Sequence, residues 1–203
     1  KEIITPGPMD IGFISGGSGI IGLNNLYREQ IMYLVKSIDE LNEIADFIII
    51  DTGAGISDQV MEFVASSSEI ILVTTPEPTS ITDSYSLLKA LYKRKNFVPD
   101  NTRIKVIANK VTSRDDANIV YNKINSVVIQ FLKGRLEYLG YIPSDVSVEK
   151  AVRQQQIVSI CEPFSKASRA YDDIAEKLLG NEPAQNTVKK SIAHIFSSFL
   201  KKQ

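Results

Sequence analysis

Residues 47–55 read Phe-Ile-Ile-Ile-Asp-Thr-Gly-Ala-Gly, and this stretch decides the fold. Four apolar residues, three of them β-branched, stand together without polar alternation. That pattern suits a strand buried on both faces, as in a parallel sheet. Similar short runs recur at 11–15, 69–74, 104–109 and 136–142. Helical spacing fills the intervals. Ile31, Leu34, Val35, Ile38, Leu41 and Ala45 repeat at three and four. A second helix starts near Ser57 or Asp58, either of which can cap it. Further helices are expected over 80–95, 115–132, 146–155 and 164–179. Strand and helix alternating in this way predict an α/β fold: a doubly wound, mostly parallel sheet with helices on both faces. In such sheets ligands sit at the carboxyl ends of the strands.

The bulk numbers agree. A chain of 203 residues with 43% apolar and 23% charged residues can bury one real core. The net charge of -1 gives no global pull toward nucleic acid. Cys161 is the single cysteine, which excludes a disulfide framework and a cysteine-based zinc site and fits a reducing cytoplasm. Its place before Glu162-Pro163 reads as buried filler. No apolar run is long enough to span a bilayer. No signal peptide is seen. The first residue is Lys1 rather than Met, so the natural start is expected to lie elsewhere. Three parts are expected: a domain over 1–180, a polar linker over 181–187, and a tail over 188–203.

The strand ends carry the chemistry. Asp51 at the tip of an apolar strand is the Walker B arrangement, whose carboxylate holds magnesium, often through water. Gly53 and Gly55 let the backbone approach a phosphate and pivot when it leaves. An Asp that merely caps the next helix explains the same residues. The run at 69–74 leads into Thr75-Pro76-Glu77-Pro78, an extended loop. The run at 104–109 ends in Asn109-Lys110, and an Asn amide offers the donor and acceptor that match an adenine edge. The last run ends in Pro143-Ser144-Asp145, a turn before a helix.

FIIIDTGAGISDQV, TTPEPTSITDSYSLLKAL, VIANKV and LGYIPSDVSVEKAVRQQQ follow one another in that order. In order and spacing they resemble the MinD/ParA family of deviant-Walker P-loop ATPases, and most closely its flagellar FlhG branch. The resemblance runs over roughly 11–200 and implies a MinD-like P-loop NTPase fold. It implies ATP or ADP with magnesium as cofactors. Asp51 would hold magnesium through water, and Gly53 to Gly55 would form the γ-phosphate switch. Asn109 would face adenine with Lys110 beside it. Pro143 and Asp145 would line the purine side. The family forms a face-to-face homodimer around two ATP molecules and hydrolyses them slowly.

The family's phosphate loop, Lys-Gly-Gly-x-Gly-Lys-Ser/Thr, has no match in these residues. Gly16-Gly17-Ser18-Gly19 is followed by Ile20-Ile21 and reads as an ordinary loop. About two further strand–helix units are therefore expected upstream, with the phosphate-binding lysines and the catalytic Asp. Without them the run at 48–50 would lack sheet neighbours and expose its isoleucines.

In the tail, Val188, Ile192, Ile195, Phe196, Phe199 and Leu200 fall on one helical face, flanked by lysines. This suits a short cationic helix lying on an anionic membrane. A final helix packed on the domain's own core has equal support from composition, and the linker and the family position favour the membrane. The reading that results is an ATPase regulator of flagellar number or placement. It would be cytoplasmic, peripheral to the inner face of the cell membrane, and partnered by the flagellar GTPase FlhF and switch components. No specific nucleic acid is expected. A division or partition paralogue and a non-catalytic interaction module are the alternatives.

Overall fold

The computed structural model describes residues 4–14, 41, 44–53, 55–95 and 97–180. These fall into two units, one ending at Ile48 and one beginning at Ile49. The Gly16–Gly19 loop, nearly all of the expected 31–45 helix, Ala54, the linker and the tail lie outside the described residues.

In the first unit, β1 (Thr5–Pro6) and β2 (Gly12–Phe13) pair antiparallel around a 3-10 turn, Pro8–Asp10. The run at 11–15 was expected to join the parallel sheet. Only Gly12 and Phe13 form a strand, and they belong to this hairpin. Pro6, Gly7 and Pro8 fold the chain back locally, as turn residues do. Gly7 N–H donates to the Ile11 carbonyl at 2.7 Å and closes the turn.

The 47–51 run also departs from expectation, because it is in no strand. Phe47 and Ile48 end the first unit, and Ile49 and Ile50 open the second, all four with substantial exposure; Ile49 is 86% exposed. A β-branched run is held as a buried strand by its neighbours on the sheet rather than by intrinsic preference. No described strand pairs with this one.

The second unit is built on a three-stranded parallel sheet in the order β3 (Glu69–Thr74), β4 (Arg103–Val111), β5 (Glu137–Pro143). The connections are α2 (Pro78–Tyr92) and α3 (Arg114–Val127), preceded by α1 (Asp58–Ser66). Consecutive right-handed crossovers in one direction put their helices on one face. The core agrees: Met61 and Ala65 of α1, Leu88 and Leu91 of α2, and Val120 and Ile124 of α3 pack with Leu72, Ile104 and Val106. The opposite face is covered by α6 (Lys166–Gly180) over β4 and β5, through Ile174, Ala167, Ile107, Leu139 and Ile142. Between β5 and α6 lie α4 (Val146–Arg153), where a helix over 146–155 was expected, and a short α5 (Val158–Cys161), which was not. Cys161 is exposed rather than buried.

Two glycines permit this packing. A Cβ on Gly140 would lie 2.9 Å from Ile174 Cγ1, so α6 rests directly on β5 backbone. A Cβ on Gly134 would lie 2.0 Å from the Tyr92 hydroxyl, so the turn before β5 is pressed against the end of α2. At the beginnings of the strands, charges staple all three together. The Lys105 ammonium, 2% exposed, pairs with the Glu69 carboxylate. Arg103 grips Glu137 with two hydrogen bonds, of 3.1 and 2.8 Å.

Candidate functional site

The three strand tips lie side by side because the strands are parallel and in register: Thr74 pairs with Ala108, and Asn109 with Ile142. Each tip is fixed by local hydrogen bonds that its own sequence supplies.

After β3, Ser80 in the first turn of α2 accepts the Thr75 N–H at 3.0 Å. Its hydroxyl is 3.1 Å from that of the fully buried Thr74. The Thr75 hydroxyl donates to Glu77 at 2.9 Å. The prolines at 76 and 78 set an extended path, and these hydroxyls lock it to the helix. Sequence reading noticed the loop but assigned nothing to Thr74, Ser80 or Glu77. The signal was present: hydroxyls at a strand tip and again in the next helix's first turn.

After β4, the Asn109 side-chain oxygen accepts the Lys110 N–H at 2.9 Å. Lys110 itself sits in the left-handed region, with φ 55. The Asn109 amide nitrogen has no hydrogen-bond partner among the described residues. The following turn is closed by Asp116, whose carboxylate accepts the Thr112 N–H and hydroxyl, while Ser113 caps α3 by accepting the Asp116 N–H.

After β5, Pro143 pairs with Val111, and Ser144 N–H donates to the Val111 carbonyl at 2.9 Å. Asp145 then uses both carboxylate oxygens on backbone. One accepts Ser147 N–H at 2.9 Å and caps α4; the other accepts Ala167 N–H at 3.0 Å in the first turn of α6. The Ser147 and Ala167 N–H groups hold this carboxyl below the ordinary aspartate range.

The structure therefore brings Asn109, Lys110, Pro143 and Asp145 together at adjacent tips. It places Asp51, Gly53 and Gly55 outside any strand or helix and all three exposed, with Gly55 at φ 117. Asp51 has no hydrogen bond or ion pair to a described residue. No group of three acidic, His or Cys side chains gathers among the described residues. For Mg-ATP, the donor set fits in part. The unpartnered Asn109 amide suits a base edge, and the unengaged Asp51 carboxylate suits a water-held magnesium. Both Asp145 oxygens already accept backbone N–H groups, which fits a part in shaping the purine side. No lysine-bearing glycine loop for phosphates stands among the described residues.

No family model matches the sequence. The chain is similar to the antiactivator FleN of Pseudomonas aeruginosa, at 35% identity over 178 residues, covering 88% of this chain and 62% of FleN. In structure it is similar to a ParA family ATPase from Chlorobium tepidum, with TM-score 0.62 and 22% identity, covering 87% of this chain and 66% of that one. It is similar also to the septum site-determining protein MinD of Pyrococcus horikoshii complexed with Mg-ADP, with TM-score 0.55 and 23% identity, covering 78% and 60% respectively. The chain spans less than two thirds of the length of FleN.

Proposed function

We infer that this chain is a member of the MinD/ParA family of P-loop ATPases and forms the base-side part of an ATP-dependent regulator of flagellar number or placement, a reading supported by its similarity to FleN and by its fold. The observation that carries the reading is the register that sets Asn109 beside Ile142, just before the Pro143 turn, with Asp145 accepting the first-turn N–H groups of two helices. In this proposal the Asn109 amide nitrogen meets the base, with Lys110 alongside. Asp51 holds magnesium through water, and Gly53 and Gly55 respond to the γ-phosphate. Bound Mg-ATP would supply the phosphoryl group whose loss switches the state.

The same proposal includes assembly. ATP brings two copies together, and the paired tails over 188–203 then hold the dimer on anionic membrane at the inner face of the cell, since one short helix binds weakly alone. A flagellar GTPase and flagellar switch components are the proposed partners. Similarity to a protein named an antiactivator supports a regulatory rather than a metabolic role. Among the described residues no helix is long and apolar enough to cross a membrane.

The test is a titration with fluorescent ATP and, separately, with inorganic triphosphate. ATP should bind, and Asn109→Ala should weaken it by about tenfold, the value of one or two hydrogen bonds to a base. Triphosphate affinity should not depend on Asn109. ATP binding that ignores Asn109→Ala would remove the base-side assignment.

A further inference from the structure

The end of the sheet where the strands begin carries a feature that nucleotide binding does not use. Residues 84–99 and 117–136 contain seven basic and no acidic residues, in a chain of net charge -1. The fold brings these two stretches together. Gly134 abuts the Tyr92 hydroxyl, and Tyr92 meets Phe97 edge to face with ring centres 5.2 Å apart. Lys89, Lys93, Lys95, Lys123, Lys133 and Arg135 are exposed, and none is in an ion pair with a described residue. Two acids border this patch: Glu137, which Arg103 grips and Arg135 also faces, and Asp100 beside Tyr92.

Lysines at helix carboxyl ends complement the helix dipole, and that alone explains some of the charge. It does not explain the apolar side chains set among them. After α3 the helix widens into a π segment, Val128–Leu132, a geometry that recurs at functional sites. Val128 stays buried, while Ile129 is 54% and Phe131 61% exposed. Lys133 at φ 53 ends the segment in a left-handed turn.

We propose that this π segment and the adjoining end of α2 form a docking surface for an acidic protein segment that carries apolar side chains. The charge asks for an anionic occupant. Ile129 and Phe131 choose among anionic occupants. Two apolar tips separated by Gln130 are too small a face to enter a bilayer, whose interfacial helices present a whole apolar side. Nucleic acid would leave them without a partner, since its interfaces are polar and phosphate-dominated. A protein partner uses both: aromatic and aliphatic anchors at the centre, and a charged rim that steers and orients.

The experiment uses the 203-residue chain with three defined probes: a synthetic helical peptide with Leu and Phe at three- and four-residue spacing and Glu on its other face, phosphatidylglycerol vesicles, and a random-sequence DNA duplex. Phe131→Ser should weaken peptide binding by about tenfold or more, as anchor residues do. Lys93→Glu with Lys133→Glu should weaken it similarly and flatten its salt dependence. Vesicle and DNA binding should not respond to Phe131→Ser. Ile129→Ser serves as the second anchor variant if Phe131→Ser unfolds, as judged by circular dichroism. Peptide binding that survives both anchor variants would overturn the proposal. So would vesicle or DNA binding that both anchor variants abolish. None of these residues touches the strand tips, so nucleotide binding in the variants tests the other proposal separately.

Discussion

The Asp145 carboxylate accepts the N–H of Ala167, 22 residues on, at 3.0 Å and so joins two helix amino termini. Its other oxygen accepts Ser147 N–H, so one side chain orients both α4 and α6. Asp145→Ala should cost about 1–2 kcal/mol in urea unfolding, the usual value of a lost cap plus a second backbone bond. Because the folded state lowers this carboxyl from its ordinary 3.8, its contribution is present above that value and fades as pH falls below it toward the folded value. Comparing wild type with Asp145→Asn from pH 7 to pH 3 should show the difference shrinking at the acid end. A difference that is constant across that range would refute the assignment.

Gly140 should resist substitution for a packing reason. Gly140→Ala puts a methyl 2.9 Å from Ile174 Cγ1, and the repacking should cost about 1–3 kcal/mol. Ile174→Val leaves the clashing atom type in place, whereas Ile174→Ala removes it. The double variant with Ile174→Ala should therefore be more stable than the sum of the two single losses predicts. Additive thermal melts would show that α6 does not rest on Gly140.

The Lys105–Glu69 pair makes an asymmetric prediction. Lys105 is buried and Glu69 is more than a third exposed. Glu69→Gln removes the carboxylate in contact with the buried ammonium and leaves it, among the described residues, only the field of Glu137, which should cost more than Lys105→Met, whose remaining carboxylate reaches water. Denaturant midpoints order the two variants. The reverse order would mean that the ammonium finds water by another route.

Replacing Phe196 and Phe199 by Glu should abolish binding to anionic liposomes while leaving the circular dichroism spectrum unchanged. Retained liposome binding in a folded variant would end the proposed membrane role of the tail.

The parallel α/β core was legible because Glu69–Thr74, Arg103–Val111 and Glu137–Pro143 show as apolar runs followed by caps, although β3 is buried on one face only and leaves Ile71 and Val73 exposed. The 47–51 run has strand composition, yet Ile48, Ile49 and Ile50 are exposed and in no strand, the outcome expected of that run when no sheet neighbour stands beside it. The same pattern misled at 11–15, where the two prolines around Gly7 impose a hairpin before any sheet can recruit the strand. Asn109 was singled out by its amide at a strand end and Asp145 by the family resemblance. What each atom does was not legible. That both Asp145 oxygens are taken by backbone depends on Ala167 arriving from a helix 22 residues away. The Thr74–Ser80 contact likewise exists only once the loop closes.

Hydrogen exchange with and without Mg-ATP tests the central claim most directly. The account predicts ligand-dependent slowing at Asn109–Lys110 and across Pro143–Ser147, with the basic end at Lys93 and Lys133 unchanged. Binding that leaves both strand tips unprotected, or protects the opposite end instead, would contradict it.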